Sequence, residues 1–135
     1  MKHKLITLII LVGLLNACKK EEQEPLQNPP PNIAINDPKK ENYNLEDTVF
    51  INVIVTDEQE MCNAEWFLIL NPQNDTLWTQ KKHSHATEII FNTYYPLILL
   101  SETFLDQQNV DFIVKAENAF GEKTTEMHNF IILNP

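Results

Sequence analysis

A period-two alternation of apolar and polar side chains dominates the chain after residue 31. The clearest case is the segment 48–56 (TVFINVIVT), whose odd-numbered positions carry valine or isoleucine and share one face of a strand. The same reading predicts strands at residues 32–36, 48–56, 64–70, 76–82, 86–93, 109–117 and 123–133. Seven short strands predict an all-β fold, a single antiparallel β-sandwich with one domain over residues 32–135.

Turn residues separate these strands. The segment 71–75 (NPQND) predicts a turn after the third strand, and residues 97–105 are compatible with a helical turn across the sandwich. Glycine is scarce, so Asn, Asp and Pro must form most turns. Gly121 lies where the last hairpin needs a left-handed residue, and a β-branched side chain there should be the most damaging loop substitution.

The first 17 residues have the organisation of a signal peptide. Lys2 and Lys4 precede an apolar run from Leu5 to Leu15, which is shorter than the ~20 residues that a membrane-spanning helix requires. The run ends in Leu-Asn-Ala-Cys at Cys18, which resembles a bacterial lipobox. The resemblance implies a lipoprotein that is cleaved before Cys18 and acylated there. A plain secretory signal with an incidental cysteine, or a buried N-terminal helix, is the alternative.

Residues 18–31 form a predicted tether. Lys19 and Lys20 are followed by acidic residues, an order that resembles the export signal of Bacteroidetes lipoproteins and implies an outer-membrane, surface-exposed location. The following segment, PLQNPPPN at residues 25–32, predicts a semi-rigid polyproline spacer. We therefore expect the membrane to be a partner through a lipid anchor at Cys18.

Charge excludes one class of partner. The chain carries 10 Lys, no Arg and 19 acidic residues, for a formal net charge of −9. Such a surface repels a phosphate backbone, so we expect no nucleic-acid binding. Two cysteines do not make a disulfide framework, and lipidation of Cys18 would leave Cys62 as a small buried hydrophobe or a free thiol near a loop.

Three segments carry a resemblance to a known class of domain. They are PNIAI with the nearby Pro38, TVFINV leading into Thr56 and Asp57, and VKAENAFG ending at Gly121. Together they resemble the Ig-like, cadherin-like domains of Bacteroidetes lipoproteins, which implies an Ig-like sandwich over the folded part. The Cys…Trp…Cys pattern of antibody domains is absent, although Trp66 lies on the predicted third strand.

No catalytic constellation stands out. The only serines are Ser84 and Ser101, and on an extended strand Ser84 would point away from its neighbours His83 and His85. No positioned acid, base and oxyanion donor can be named, so we expect a protein without enzymatic activity and without a required cofactor.

A metal site is one specific alternative. In a meander, the turns after the second, fourth and sixth strands lie at the same end of the molecule. These turns bring together Asp57, Glu58 and Glu60, then His83 and His85, then Asn118 and Glu122. Carboxylates would suit Ca²⁺ and imidazoles a transition metal. Solvated acidic loops without metal are the ordinary alternative.

Glycan binding is the other specific alternative. Outer-membrane lipoproteins with Ig-like domains resemble accessory proteins that stack aromatic rings on sugars, and Trp78, Tyr94 and Tyr95 are the candidate rings. Most aromatic residues are needed to fill the core, so exposure decides this hypothesis. The sequence as a whole favours a monomeric accessory, structural or interaction module of the cell envelope, whose partner is an unidentified envelope protein or glycan.

Overall fold

The period-two segments form strands in the structure, a computed structural model that describes residues 28–100 and 107–133. The predicted leader, Cys18 and the tether up to residue 27 lie outside the described residues. The elements are β1 (Asn32–Asp37), β2 (Asn42–Asn44), β3 (Thr48–Thr56), β4 (Met61–Asn71), β5 (Asp75–His83), β6 (Glu88–Pro96), a 3₁₀ turn (Leu97–Leu100), β7 (Gln107–Asn118) and β8 (Lys123–Leu133). The all-β prediction is confirmed.

The strands form two sheets. One has the order β1-β3-β6, and the other has the order β2-β8-β7-β4-β5. Neighbouring strands are antiparallel except β2 and β8, which are parallel. The described residues therefore contain eight strands rather than seven, and the sheets are not purely antiparallel. The strand missed was β2, which has three residues and only one buried side chain, Tyr43, so it offers too short a pattern to read.

Alternation explains how the two sheets share one core. In β3 the odd-numbered residues are buried. The even-numbered residues of β4 from Ala64 onwards, and those of β7 up to Ala116, fill the other side of the core. Trp66 is fully buried at the centre, with the Phe112 ring 5.7 Å away between centroids. The largest fully buried side chains also include Phe130, Ile51, Met61, Leu68, Ile89, Leu97 and Ile132.

The start of β4 and the segment after β6 differ from their predicted bounds. A bulge between Met61 and Asn63 breaks the alternation at the start of β4, so the predicted strand began three residues late. The predicted helical turn at residues 97–105 is a 3₁₀ turn at Leu97–Leu100, and residues 101–106 lie outside the described part. Gly121 has a φ of +83°, as predicted, and Asn74 supplies a positive φ of 59° in the β4–β5 turn.

An amide–carboxylate network ties three strands together on the exposed face of the larger sheet. Asp111 on β7 accepts a hydrogen bond of 2.6 Å from the side chain of Asn71 on β4. The other carboxylate oxygen of Asp111 accepts one from Asn129 on β8. Both oxygens of one carboxylate are thereby engaged within the sheet.

Candidate functional site

Three loops meet at one end of the molecule, as the meander argument predicts. The Asp57 N–H donates to Thr87 O at 3.0 Å, and the Ala119 N–H donates to Glu60 O at 2.8 Å. The loop after β3 therefore contacts both the loop after β5 and the β7–β8 hairpin. We call this region the loop end, defined by residues 57–60, 84–87 and 119–122.

Asn118 is the side chain that joins the loop end. It is 1% exposed, and its Oδ1 accepts the N–H groups of Phe120 and Glu122, both at 3.0 Å. Its Nδ2 donates to Asp57 Oδ2 at 3.1 Å and to Pro29 O at 3.3 Å. A buried amide with partners on both its oxygen and its nitrogen fixes the segments it touches, so Asn118 has a structural role here.

The chain enters the fold at this same end. Pro31 is buried, and Pro31 O accepts a hydrogen bond of 2.5 Å from the Thr124 hydroxyl on β8. Together with the bond from Asn118 to Pro29, this contact places the last residues of the predicted tether on the fold. Two residues of the predicted tether, Pro29 and Pro31, are therefore hydrogen-bonded to the fold.

The two histidines of the predicted metal site do lie side by side. The ring centroids of His83 and His85 are 4.9 Å apart, and His85 Nδ1 lies 3.6 Å from Glu60 Oε2. His83 Nδ1 is 3.2 Å from the side-chain oxygen of Asn63, and the His85–Glu60 pair is largely exposed to solvent. An exposed contact of this kind contributes little to stability.

The remaining predicted metal ligands are not brought into one group with the histidines. Asp57 binds Asn118 through Oδ2, and its Oδ1 accepts the Gln59 N–H at 2.7 Å, while Glu58 is exposed. Across residues 28–100 and 107–133, no three His, Cys, Asp or Glu side chains are grouped so that they could hold a metal ion.

Ser84 and Cys62 have ordinary surroundings. The Ser84 hydroxyl oxygen accepts the Ala86 N–H at 3.1 Å, which closes a local turn. Cys62 is a half-buried free thiol whose sulfur accepts a hydrogen bond of 3.2 Å from the Asn63 amide. Ser101 lies outside the described residues.

Two of the three predicted sugar-stacking rings pack against the core. The Trp78 ring lies edge-on to Trp66, with centroids 5.1 Å apart, and 5.3 Å from the Tyr95 ring. Both Trp78 and Tyr95 are half-buried and belong to the margin of the core. Burial raises the pKa of the Tyr95 phenol above its ordinary value.

Tyr94 lies on the opposite face of its strand from Tyr95. It is 60% exposed and pairs across the strands with Phe50, which is 63% exposed. The three predicted rings therefore do not form one platform, because Tyr94 is separated from the other two by the sheet. Phe50 is the partner that sequence reasoning missed, although an aromatic residue at an outward position of β3 was a visible signal.

The exposed face of the β1-β3-β6 sheet, which we call the outer face, contains three rows of side chains. The first is the aromatic row, Phe50 and Tyr94. The second is the amide row, Asn52 and Asn92 with Asn36, whose Nδ2 donates to Asn52 Oδ1 at 3.0 Å. The third is the aliphatic row, Ala34, Ile54 and Ile90. None of the side chains in these three rows carries a formal charge at neutral pH, whereas the exposed Glu88, in the next row along β6, lies on the same face.

Comparison with known proteins assigns no family. No family model and no curated protein sequence matches the chain. Among solved structures, the chain is similar to Spo0M, a sporulation control protein from Bacillus subtilis, with a TM-score of 0.47 and 11% sequence identity. The match covers 77% of this chain and 49% of Spo0M, so the chain spans about half the length of that protein.

Membrane-spanning helices were sought in the part of the chain that the structure describes. None of the helices there is long and apolar enough to cross a bilayer.

Proposed function

We propose that this protein is a non-enzymatic, lipid-anchored module of the cell envelope with an Ig-like β-sandwich fold. In this proposal Cys18 carries the lipid in the outer membrane, as in lipoproteins of the Bacteroidetes type. The folded part then acts as an accessory, structural or interaction module. Two sheets around one core, with consecutive strands β1 and β2 in different sheets, support the sandwich.

The observation that carries the proposal is the attachment of the N-terminal segment to the loop end. Pro29 and Pro31 accept hydrogen bonds from Asn118 and Thr124, so the entry point of the chain is fixed on the fold. Only residues 19–28 separate this point from Cys18, and a fully extended chain of that length reaches at most about 36 Å. A lipid at Cys18 would therefore hold the loop end on the membrane side.

This arrangement makes the two sheet faces the surfaces available for interaction. The loop end is acidic, with Asp57, Glu58, Glu60 and Glu122, and would lie close to the anchor. The outer face runs along the side of the molecule and carries exposed rings at Phe50 and Tyr94. Exposed large apolar side chains that form a contiguous patch are typical of interaction sites.

Metabolic labelling with an alkyne-tagged fatty acid tests the anchor, because the chain offers a matched pair of cysteines. We expect label on the wild-type protein and on Cys62→Ser, and none on Cys18→Ser. The labelled protein should fractionate with the outer membrane. An unlabelled wild-type protein, or label that depends on Cys62, would contradict the proposal.

A further inference from the structure

We propose that the outer face binds a neutral carbohydrate chain. The Phe50 and Tyr94 rings would stack on the C–H faces of sugar rings, and the amides of Asn36, Asn52 and Asn92 would hydrogen-bond sugar hydroxyls. This site shares only Tyr94 with the rings that the sequence predicted. It deepens the interaction role proposed above and rests on that role, but it does not depend on the lipid anchor.

The exposure of the aromatic row is the first argument. Phe50 and Tyr94 are directly opposite each other on β3 and β6, where Cβ atoms of cross-strand partners lie about 4.5–5.5 Å apart. Both rings are more than half exposed, whereas the next residues along, Val49 and Tyr95, pack inward. Keeping two adjacent rings in water costs free energy that contact with an apolar surface recovers.

The amide row is the second argument. It lies two residues further along the same strands, at a spacing of roughly 7 Å from the aromatic row. The bond from Asn36 to Asn52 uses one donor and one lone pair, and each amide carries two donors and two lone pairs. Sugar hydroxyls both donate and accept hydrogen bonds, so a row of amides matches them in either role.

The charges on and around the outer face favour a neutral ligand. The aromatic row, Asn52 and Asn92 carry no charge. The charged residues next to them are acidic, because Asp37 is the β1 register partner of Asn52 and the exposed Glu88 lies beside Ile90 on the same face. An acidic polysaccharide would meet no cation on this face and would be repelled by the rest of the molecule. A cationic ligand would find the acidic loop end more favourable. A neutral polyol needs only rings and amides, which are the groups that the aromatic and amide rows present.

Affinity electrophoresis of the full chain in mild detergent tests the site. The gels contain neutral polysaccharides, namely α- and β-linked glucans, mannans, xylans and galactans, with polygalacturonate as the acidic control. We expect at least one neutral polysaccharide to retard the wild-type protein and polygalacturonate not to. Phe50→Ala and Tyr94→Ala should each weaken binding by about tenfold, a loss typical of an interface anchor.

Phe120→Ala is the matched control, because Phe120 is 59% exposed but lies at the loop end. It should bind like the wild type, and Asn92→Ala should bind more weakly. The proposal is overturned if no neutral polysaccharide retards the protein, or if Phe50→Ala binds normally. It is also overturned if sedimentation shows a wild-type dimer that Phe50→Ala dissociates, since the outer face would then bind a second copy. None of these results bears on acylation at Cys18, so the two proposals fail separately.

Discussion

At the scale of single residues, the Asn118 side chain holds the loop end together through its hydrogen bonds. Its amide hydrogen-bonds the hairpin backbone, the Asp57 carboxylate and the Pro29 carbonyl, all from a buried position. The sequence placed Asn118 on a rim of candidate metal ligands. The structure instead uses it to join the predicted tether to the fold.

Replacing Asn118 by Ala should therefore lower the free energy of unfolding by about 2–3 kcal/mol, because several buried partners lose their hydrogen bonds at once. Urea unfolding followed by tryptophan fluorescence measures the change. Asn92→Ala removes an exposed amide from the outer face and should stay within about 0.5 kcal/mol of the wild type. Equal unfolding free energies for the two variants would show that the Asn118 network contributes nothing.

Gly121 is the second residue whose role can be isolated. Its N–H donates to Asn118 O at 3.0 Å, and no atom beyond the glycine and its two chain neighbours lies within 4 Å of the position that a Cβ would take. The cost of a side chain is therefore the backbone conformation alone, roughly 1–2 kcal/mol for Gly121→Ala. Gly121→Asn should cost less and Gly121→Val more, by thermal unfolding. Three equal losses would contradict the assignment of the cost to the positive φ.

At the scale of strands and sheets, the carboxylate of Asp111 links β4, β7 and β8 through Asn71 and Asn129. Asp111→Ala should lower the free energy of unfolding by about 1–2 kcal/mol, since two charge-assisted hydrogen bonds are lost at a half-buried site. Asp75→Ala, at the exposed start of β5, is the control and should have little effect. A loss no larger than that of the control would show that the Asp111 link does not stabilise the sheet.

The strand pattern could be read from the sequence wherever alternation was long. β3 and β8 were predicted with their observed bounds. β3 alternates along its whole length, whereas in β8 only Phe130 and Ile132 are buried. β2 could not be predicted, because it forms by pairing with β8, and the position of β8 depends on the rest of the chain. The bulge at Cys62 likewise has no signature in the local sequence.

The rings of the candidate site could likewise be predicted only in part from the sequence. Alternation alone indicates that Tyr94 and Tyr95 face opposite ways, yet it does not tell which of them faces water. Their exposure depends on which face of β6 the other sheet covers, since Trp78 of that sheet packs against Tyr95 and Tyr94 lies on the opposite face. Phe50 joins Tyr94 only through the β3–β6 register, which is a long-range property.

At the scale of the whole molecule, two phenols whose pKa is raised by burial make stability sensitive to alkaline pH. Burial raises the pKa of Tyr95 from 10.0. Burial also raises that of Tyr43, with smaller contributions from a hydrogen bond to the Lys40 backbone, which lowers it, and from Asp37 and Asp47, which raise it. A raised phenol pKa means that the folded state holds its proton to higher pH than the unfolded state does.

The stabilisation is therefore complete below about pH 10 and is lost as pH rises from there through the folded-state pKa values. We expect the free energy of unfolding to fall with pH in this range for the wild type. The fall should be shallower for Tyr95→Phe and for Tyr43→Phe, measured by urea unfolding at fixed pH values. Identical slopes in all three proteins would contradict the assignment.

In our proposal, the exposed rings bind carbohydrate and the half-buried rings stabilise the core. Measuring polysaccharide retardation and urea unfolding on the same preparations of Phe50→Ala and Trp78→Ala tests it most directly. We expect Phe50→Ala to lose retardation while its unfolding free energy stays within about 0.5 kcal/mol of wild type. Trp78→Ala should keep retardation and lose about 2–3 kcal/mol, because a partly buried aromatic is removed. The reverse pattern, with binding lost only in Trp78→Ala, would contradict the claim.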